Sequence, residues 1–357
     1  MESLRQKIKK HGSAVAFILG FAWDNVMIGR IDHAFANIML GTYLTISAFC
    51  IIALNIHVKK NSGGPPQKYG RWLAIIMQFC FGSLMSAYII FYTRSASLAA
   101  SWPFLAFLVL MVLGNELLRE RYHRPRFQIP IFFIVLFSYA VFSLPIVVGR
   151  IGSDIFMASG LVSVAIVSLL WLVGRRAAPE AFASDKRAAV ISVAAIYMLF
   201  NIAYFEQIIP PVPLALKYIG VYHLVTRNND GSYSLSFEPG FWYPIITDTS
   251  DTYHKSPGEP VYVWSSVFAP TRITTPLFYR WSYFDASKNA WVTTDLVPFQ
   301  IVGGRDAGFR GYTLKTGAFP ALWQVSVETA QGALIGETRF TVATTTAPGN
   351  NLVTMLR

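Results

Sequence analysis

The stretch AAVISVAAIYMLFNIAYFEQIIPPVP, residues 188–213, marks the point where the character of the chain changes. Its apolar portion, 188–208, is long enough to span a bilayer, which takes about 20 mostly apolar residues. Pro210, Pro211 and Pro213 then end the helix, because proline lacks an amide hydrogen and its ring clashes with the preceding turn. We therefore expect a helical membrane region before Pro210 and a different kind of domain after it.

Six further apolar runs precede this stretch. The chain is 54% hydrophobic and 14% charged, whereas soluble domains carry about 25% charged residues. Residues 1–30 also resemble a signal peptide, but the charged residues that follow the apolar run favour an uncleaved helix. The predicted spans are 13–30, 35–57, 72–92, 97–118, 127–148, 155–174 and 188–208.

Basic residues collect in every second connection between these spans. The net charge of +11 suggests nucleic-acid binding, but this alternation is typical of the cytoplasmic loops of membrane proteins. One side carries Arg5, Lys7, Lys9, Lys10, Lys59, Lys60, Lys68, Arg71, Arg119, Arg121, Arg124, Arg126, Arg175, Arg176, Lys186 and Arg187. The other side carries Arg30, Arg94 and Arg150. We therefore predict a cytoplasmic N-terminus, an extracytoplasmic C-terminal domain and no nucleic-acid partner.

After Pro210 the chain is more polar, with β-branched and aromatic residues in short runs. Tyr222–Thr226 and Tyr233–Phe237 flank Asn229-Asp230-Gly231, a tight turn that is typical of a hairpin. Further strands at about ten-residue spacing predict an immunoglobulin-like, all-β sandwich. The fold class is thus an α-helical polytopic membrane protein with about seven spans and a C-terminal sandwich. The predicted domains are a transmembrane helical domain over residues 1–209, a linker with a hairpin over 210–254, the sandwich over 255–345 and a tail over 346–357.

Five segments of the C-terminal half combine aromatic, glycine and basic residues. They are Phe278-Tyr279-Arg280-Trp281, Pro298–Ile301, Gly303-Gly304-Arg305, Gly308–Lys315 and Leu322–Val327. Together they resemble the DUF2914 family, a bacterial domain of unknown function, over roughly 260–345. Ala321 stands where the family pattern has a glycine.

The N-terminal stretches Gly20–Asn25 and Gly29–Asp32 are similar to the membrane region of such proteins. The resemblance implies a bacterial origin and a location in the cell envelope, and it implies no activity.

Asp24 lies within the first predicted span, where an aspartate at mid-bilayer costs about 2.5–3.5 kcal/mol on insertion scales. With Asn25, Arg30 and Asp32 it forms either an ion, proton or substrate site, or a polar clasp between helices. The candidate partners for such a clasp are Asn115 and Asn201. Asp24 also leaves open whether the first span crosses the membrane or is re-entrant.

Basic and aromatic residues of the β domain suggest a ligand site. In a strand, Arg310 and Tyr312 share one face, and Thr313 and Lys315 share the other. Guanidinium groups beside aromatic rings bind anionic or sugar-like ligands through charge-assisted hydrogen bonds and stacking. The alternative is an aromatic core covered by structural arginines. The candidate residues are Arg280, Trp281, Arg305, Arg310, Tyr312, Lys315 and Trp323.

The sequence contains no recognisable catalytic or metal-binding motif. The six histidines lack zinc spacing, Cys50 and Cys80 lie in apolar runs, and Gly303–Gly308 lacks the Lys-Ser/Thr of a P-loop. We therefore predict no catalytic residue, metal or cofactor.

The favoured interpretation is a non-enzymatic accessory protein of the bacterial inner membrane. Besides the lipid bilayer, its partners are an envelope protein, a glycan or a lipid head group, bound by the periplasmic sandwich. The alternatives are a transporter that uses Asp24 and a membrane enzyme that acts on lipid-linked substrates.

Overall fold

The computed structural model describes residues 34–60, 67–95, 98–117, 124–239, 250–271, 273–305, 308–345 and 352–357. These residues form two compact units, a helical unit that extends to Ile209 and a β unit that begins at Pro210. The predicted first span, 13–30, lies outside the described residues.

The described residues of the helical unit form six helices. They are α1 (Ala34–Lys60), α2 (Gln67–Ser95), α3 (Leu98–Leu117), α4 (Pro125–Val148), α5 (Ser153–Ala177) and α6 (Pro179–Phe205). Five of them are long and apolar enough to cross a membrane, whereas α3 has a shorter apolar stretch, Trp102–Val112. Their length and composition indicate a membrane protein, but the predicted number of seven spans is not confirmed.

Helix α4 contacts α1, α5 and α6 and is the most central helix of this unit. Phe137 of α4 is completely buried. Three buried hydrogen bonds between described residues join α4 to its neighbours. The amide of Asn55 in α1 donates to Gln128 at 2.7 Å, and the hydroxyl of Tyr88 in α2 donates to the carbonyl of Val135 at 2.8 Å. The hydroxyl of Ser159 in α5 donates to the carbonyl of Ala140 at 3.2 Å. Such internal pairing is needed where water does not reach.

Helices α5 and α6 form a tight hairpin in which Ala178 is the connecting residue. The sequence predicted a loop between 174 and 188, but most of these residues are helical. Pro179 suits the first turn of α6, where its missing amide hydrogen has no helical partner to lose. Phe182 then packs against Trp171, with ring centroids 5.1 Å apart, and against Gly174. This contact explains why α6 begins well before the predicted start.

The β unit contains eleven described strands. They are β1 (Ala215–Tyr222), β2 (Leu224–Arg227), β3 (Tyr233–Phe237), β4 (Thr252–Lys255), β5 (Val261–Phe268), β6 (Thr274–Asp285), β7 (Ala290–Val302), β8 (Phe309–Lys315), β9 (Ala321–Thr329), β10 (Leu334–Thr344) and β11 (Val353–Leu356). They form three sheets, with the strand orders β1-β5-β8, β4-β10-β9-β6-β7 and β11-β3-β2. All pairs are antiparallel except β4 with β10.

The sheet β1-β5-β8 lies between the other two. On one face, Trp264 of β5 packs with Leu235 and Phe237 of β3. On the other face, the hydroxyl groups of Ser265 in β5 and Tyr279 in β6 share a buried hydrogen bond of 2.6 Å. The β unit therefore has two apolar cores, one on each side of its middle sheet.

Two predicted boundaries differ from the structure. Residues 210–254, predicted as a linker, supply strands to all three sheets, and β1 pairs with β5 from Ala215–Phe268 to Tyr222–Tyr262. The predicted tail, 346–357, contains β11, which pairs with β3. The first segment carries apolar side chains that the sheets bury, and Val353 and Met355 of the second are partly buried against the same core. The predicted hairpin at Asn229-Asp230-Gly231 is present as β2 and β3.

We expect Gly174→Ala to lower the unfolding temperature of the full chain in detergent by several degrees. The added Cβ would overlap the ring of Phe182, and overpacking of this kind costs about 1–3 kcal/mol. Gly41→Ala in α1 is the matched control, because no atom lies within 4 Å of the added Cβ there. Circular dichroism during heating measures both variants, and equal unfolding temperatures would contradict the tight packing of α5 against α6.

Candidate functional site

The predicted intramembrane site consists of Asp24, Asn25, Arg30 and Asp32. All four lie outside the described residues. Their role in ion, proton or substrate binding, or in a polar clasp, therefore stays a prediction.

Two members of the predicted ligand set, Trp281 and Trp323, lie in the core between the sheets. Their side chains are almost completely buried, with ring centroids 6.3 Å apart. The indole of Trp281 donates to the hydroxyl of Thr313 at 3.3 Å, and that of Trp323 donates to the carbonyl of Phe319 at 2.9 Å. In this conformation both rings stabilise the β unit and leave no face for a ligand to stack on.

Arg280 lies on the opposite face of β6 from Trp281, as strand alternation requires. Its Nε donates to both carboxylate oxygens of Glu328, at 3.0 and 2.9 Å, and its Nη2 lies 2.9 Å from Oε2. Ser326 donates a further hydrogen bond of 2.7 Å to Glu328, whose side chain is 10% exposed. Such a fork-shaped ion pair is among the stronger ones in proteins, and it occupies the guanidinium group.

A ladder of polar side chains continues across this outer face of the sheet. Gln324 of β9 donates to Glu337 of β10 at 2.9 Å and accepts a hydrogen bond of 3.0 Å from Arg339. The guanidinium carbon of Arg339 also lies 5.5 Å from the ring centre of Trp291 in β7, within the range of a cation–π contact. The outer face therefore ends, at β7, in a partly exposed tryptophan with an arginine over it.

Lys315 lies at the end of β8. Its amine forms an ion pair with Asp295 of β7 and lies 5.3 Å from the ring centre of Trp323. The hydrogen bond from Lys315 holds the pKa of the Asp295 carboxyl below its usual value, although burial acts in the other direction. Lys315 thus connects the edges of two sheets.

Arg305, Arg310 and Tyr312 are placed apart from the residues above. The guanidinium of Arg305 lies over the ring of Phe309 at 5.5 Å, next to the loop in which Gly304 and Gly308 adopt positive φ angles. Arg310 and Tyr312 share one face of β8, and Tyr312 is 44% exposed. The seven candidate residues therefore do not form one site, and ligand binding by any of them stays a prediction.

The structure also contains a cluster of ionisable side chains that the sequence did not predict. It combines His223, between β1 and β2, with Glu238 after β3, Tyr253 and His254 on β4, and Glu259 before β5. No local spacing connects these residues, because they meet only when β1, β3, β4 and β5 come together. We call these five residues the His–Glu cluster.

His223 is at the centre of the His–Glu cluster. Its side chain is 7% exposed, with Nδ1 2.5 Å from Oε1 of Glu259 and Nε2 3.3 Å from Oε1 of Glu238. Nδ1 of His254 lies 2.8 Å from the other oxygen of Glu238. The ring of Tyr253 stacks on that of His223 at 4.2 Å, and its hydroxyl donates to Glu259 at 3.1 Å. The two carboxylates and two imidazoles thus form a row in the order Glu259, His223, Glu238 and His254.

The surroundings of two members of the His–Glu cluster, Glu259 and Tyr253, change their proton affinities. Burial raises the pKa of the Glu259 carboxyl, but hydrogen bonds from the backbone of Ser256, from His223 and from Tyr253 outweigh it, and the net pKa is lowered. Burial, followed by the charges of Glu259 and Glu238, raises the pKa of the Tyr253 hydroxyl. Glu259 belongs to the contacts that join the strands of the cluster, so its lowered pKa makes the stability of the β unit depend on pH.

Among the described residues, no group of three or more His, Cys, Asp or Glu side chains is arranged to hold a metal ion. In the His–Glu cluster the carboxylate oxygens are engaged with imidazole, hydroxyl and amide groups instead.

These features, with helices long and apolar enough to cross a membrane and a β-rich C-terminal unit, indicate a membrane-associated protein. That unit carries a DUF2914 region: residues 274–342 match the family described as "Protein of unknown function (DUF2914)". The resemblance stated from the sequence is thereby confirmed. The match runs from β6 into β10 and includes all seven candidate ligand residues, whereas the His–Glu cluster lies before it.

Other comparisons add little. No curated protein matches this chain significantly. Among solved structures, the alkylpurine DNA glycosylase AlkC of Pseudomonas fluorescens, bound to DNA containing an abasic site analog, aligns over 88% of this chain and 99% of its own length. The identity is 9% and the TM-score is 0.23, so this alignment carries no argument about fold or function.

We expect Arg280→Met to lower the free energy of unfolding by about 1–3 kcal/mol, because it leaves the buried Glu328 carboxylate without its cation. The double variant Arg280→Met/Glu328→Gln should recover part of this loss. Arg339→Met is the matched control, since its side chain is 57% exposed. Chemical unfolding followed by tryptophan fluorescence measures all variants, and full stability of Arg280→Met would favour a ligand-binding role over a structural one.

We expect Glu259→Gln to destabilise the β unit at neutral pH and to matter less in acid. A carboxyl with a lowered pKa stabilises the folded state above its unfolded pKa of about 4.5, and this contribution disappears as the pH falls through the folded pKa. The difference in unfolding free energy between wild type and variant should therefore shrink from pH 7 to pH 3. Asp251→Asn, at an exposed position, is the control, and a constant difference would contradict the prediction.

Proposed function

We propose that this chain is an accessory protein of the bacterial inner membrane. Its N-terminus lies in the cytoplasm, and its β unit lies on the periplasmic side, where it binds another envelope protein. The alternation of basic residues between connections supports this orientation, and the apolar helices support the membrane location. The resemblance of residues 274–342 to DUF2914 supports an envelope protein of bacteria.

The exposed edge of β7 is the observation that carries the binding role. β7 has 13 residues and pairs with β6, and no described strand pairs with its other edge. Its apolar side chains include Leu296 and Val302, which are 49% and 52% exposed. Its one charged residue, Asp295, is paired with Lys315. Edge strands that do not pair with another chain usually carry unpaired charges, which discourage such pairing. Because β7 has no unpaired charge, its free edge is suited to accept another strand.

The geometry of β7 limits where a partner strand can pair. Pro298 has no amide hydrogen to donate, so it ends the stretch on which a partner strand can pair. Within the stretch before Pro298, Thr294 forms a bulge opposite Trp281 and Ser282, which increases the local twist of β7. The first portion of β7, 290–297, is therefore the favoured segment. A partner segment in extended conformation would gain main-chain hydrogen bonds there, and Trp291 with Arg339 above it would contact its side chains.

The proposal is tested by labelling single cysteines with a membrane-impermeant maleimide, in spheroplasts and after purification. Leu296→Cys probes the edge of β7, Ala286→Cys probes the exposed turn before β7, and Ser184→Cys probes an exposed position in the second turn of α6. Wild type is the unlabelled control, because Cys50 and Cys80 are buried.

We expect Ala286→Cys to react in spheroplasts and Ser184→Cys to react only after lysis. Leu296→Cys should react several-fold more slowly in spheroplasts than in the purified protein, because a partner strand covers it in the membrane. The opposite order for Ala286→Cys and Ser184→Cys would overturn the orientation. Equal rates for Leu296→Cys before and after purification would overturn the role of β7 and leave the orientation intact.

A further inference from the structure

A groove runs along the hairpin of α5 and α6, with Ile129 of α4 at its back. Its volume is about 560 Å³. The walls are apolar: Leu161, Val164 and Trp171 contribute from α5, and Val190 and Ala194 from α6. Leu161 and Val190 are 60% and 57% exposed, so the groove opens to the outside of the helical unit. We call it the α5–α6 groove.

Lys186 is the charged residue that lines the α5–α6 groove. It lies about two helical turns after Ala178, at the end of the groove nearer the tight turn between the two helices, and Tyr197 lines the other end. From Lys186 to Tyr197 the axis of α6 rises about 16 Å. One leaflet of the hydrocarbon core is about 15 Å thick. The groove therefore has the length of one leaflet and carries a positive charge at the end that faces the membrane surface.

Further charges surround the same turn. Arg175 and Arg176 end α5, and Arg187 follows Lys186. Two acidic residues are also present: Glu180 in the first turn of α6, and Asp185, which is buried and accepts a hydrogen bond of 3.3 Å from the backbone of Arg126. Basic residues outnumber acidic ones, so the turn attracts an anion, and Lys186 is the cation that reaches the groove.

We propose that the α5–α6 groove binds an anionic glycerophospholipid, with its phosphate at the Lys186 amine and one acyl chain between the helices. A long lysine side chain extends readily towards the membrane surface, where lipid phosphates lie. The acyl chain then passes Val190 and Ala194 and ends near Tyr197. Trp171 packs against Phe182, four residues before Lys186, and tryptophan is enriched close to lipid head groups in membrane proteins.

The length and the charge of the groove favour a lipid over a helix from another protein. The groove follows α5 and α6 for about 16 Å and has a cation at one end, which matches one acyl chain beneath a phosphate. The site is also independent of the partner proposed for β7, because it lies wholly within the helical unit.

The test is native mass spectrometry of the full chain in detergent, with added phosphatidylglycerol or phosphatidylcholine. Lys186→Gln removes the groove cation, and Arg187→Gln removes the same charge from the neighbouring position outside the groove. Ala194→Phe fills the groove, and Ala195→Phe adds the same ring beside it. Circular dichroism checks that each variant keeps the helical content of wild type.

We expect wild type to retain phosphatidylglycerol in preference to phosphatidylcholine, and Lys186→Gln to bind phosphatidylglycerol about ten-fold more weakly. Ala194→Phe should lose binding of both lipids, while Arg187→Gln and Ala195→Phe should behave as wild type. Equal losses in Lys186→Gln and Arg187→Gln would indicate unspecific attraction and overturn the proposal. A dimer that Ala194→Phe converts to monomer would also overturn it, because a second copy would then occupy the groove.

Discussion

The β unit depends on the burial of β5 from both sides. Seven of its eight residues are buried, and alternate side chains enter different cores. Trp264 packs towards β3, and Ser265 bonds to Tyr279 in the five-stranded sheet. Burial of a large apolar side chain contributes about 1.5–3 kcal/mol, and β5 contributes to both cores at once. The other two sheets are therefore held together by the strand between them.

This arrangement shows that the DUF2914 stretch is not a self-contained layer. Residues 274–342 supply β6 to β10, but their inner face is covered by β5, which lies before the match. The His–Glu cluster also lies before the match and joins β5 to β1, β3 and β4. The helical unit also has a packed centre, because α4 is surrounded by its neighbours. Its groove lies outside that centre, between α5 and α6, and β7 likewise lies at the edge of the β unit.

The sequence predicted the features that depend on local pattern. Lengths of apolar runs placed α1 to α5 within a few residues, and the Asn229-Asp230-Gly231 turn placed β2 and β3. The start of α6 was missed because polar residues near Ser184 are compatible with a helix, and the contact of Phe182 with Gly174 is not visible in a linear pattern. The alternation of Arg310 and Tyr312 on β8 was predictable. The pairing of Arg280 with Glu328 was not predictable, because it depends on the register of β6 against β9. The His–Glu cluster was not predictable either, because its residues meet only when four strands come together.

The pairing of β11 with β3 has a consequence for the order of assembly. The two strands form backbone hydrogen bonds in both directions between Tyr233 and Arg357, yet more than 100 residues separate them along the chain. At ribosomal rates of about 5–20 residues per second, β11 is synthesised roughly 6–24 s after β3. During that interval the open edge of β3 is available to chaperones, proteases or other nascent chains. The third sheet is completed only after synthesis has passed residue 356.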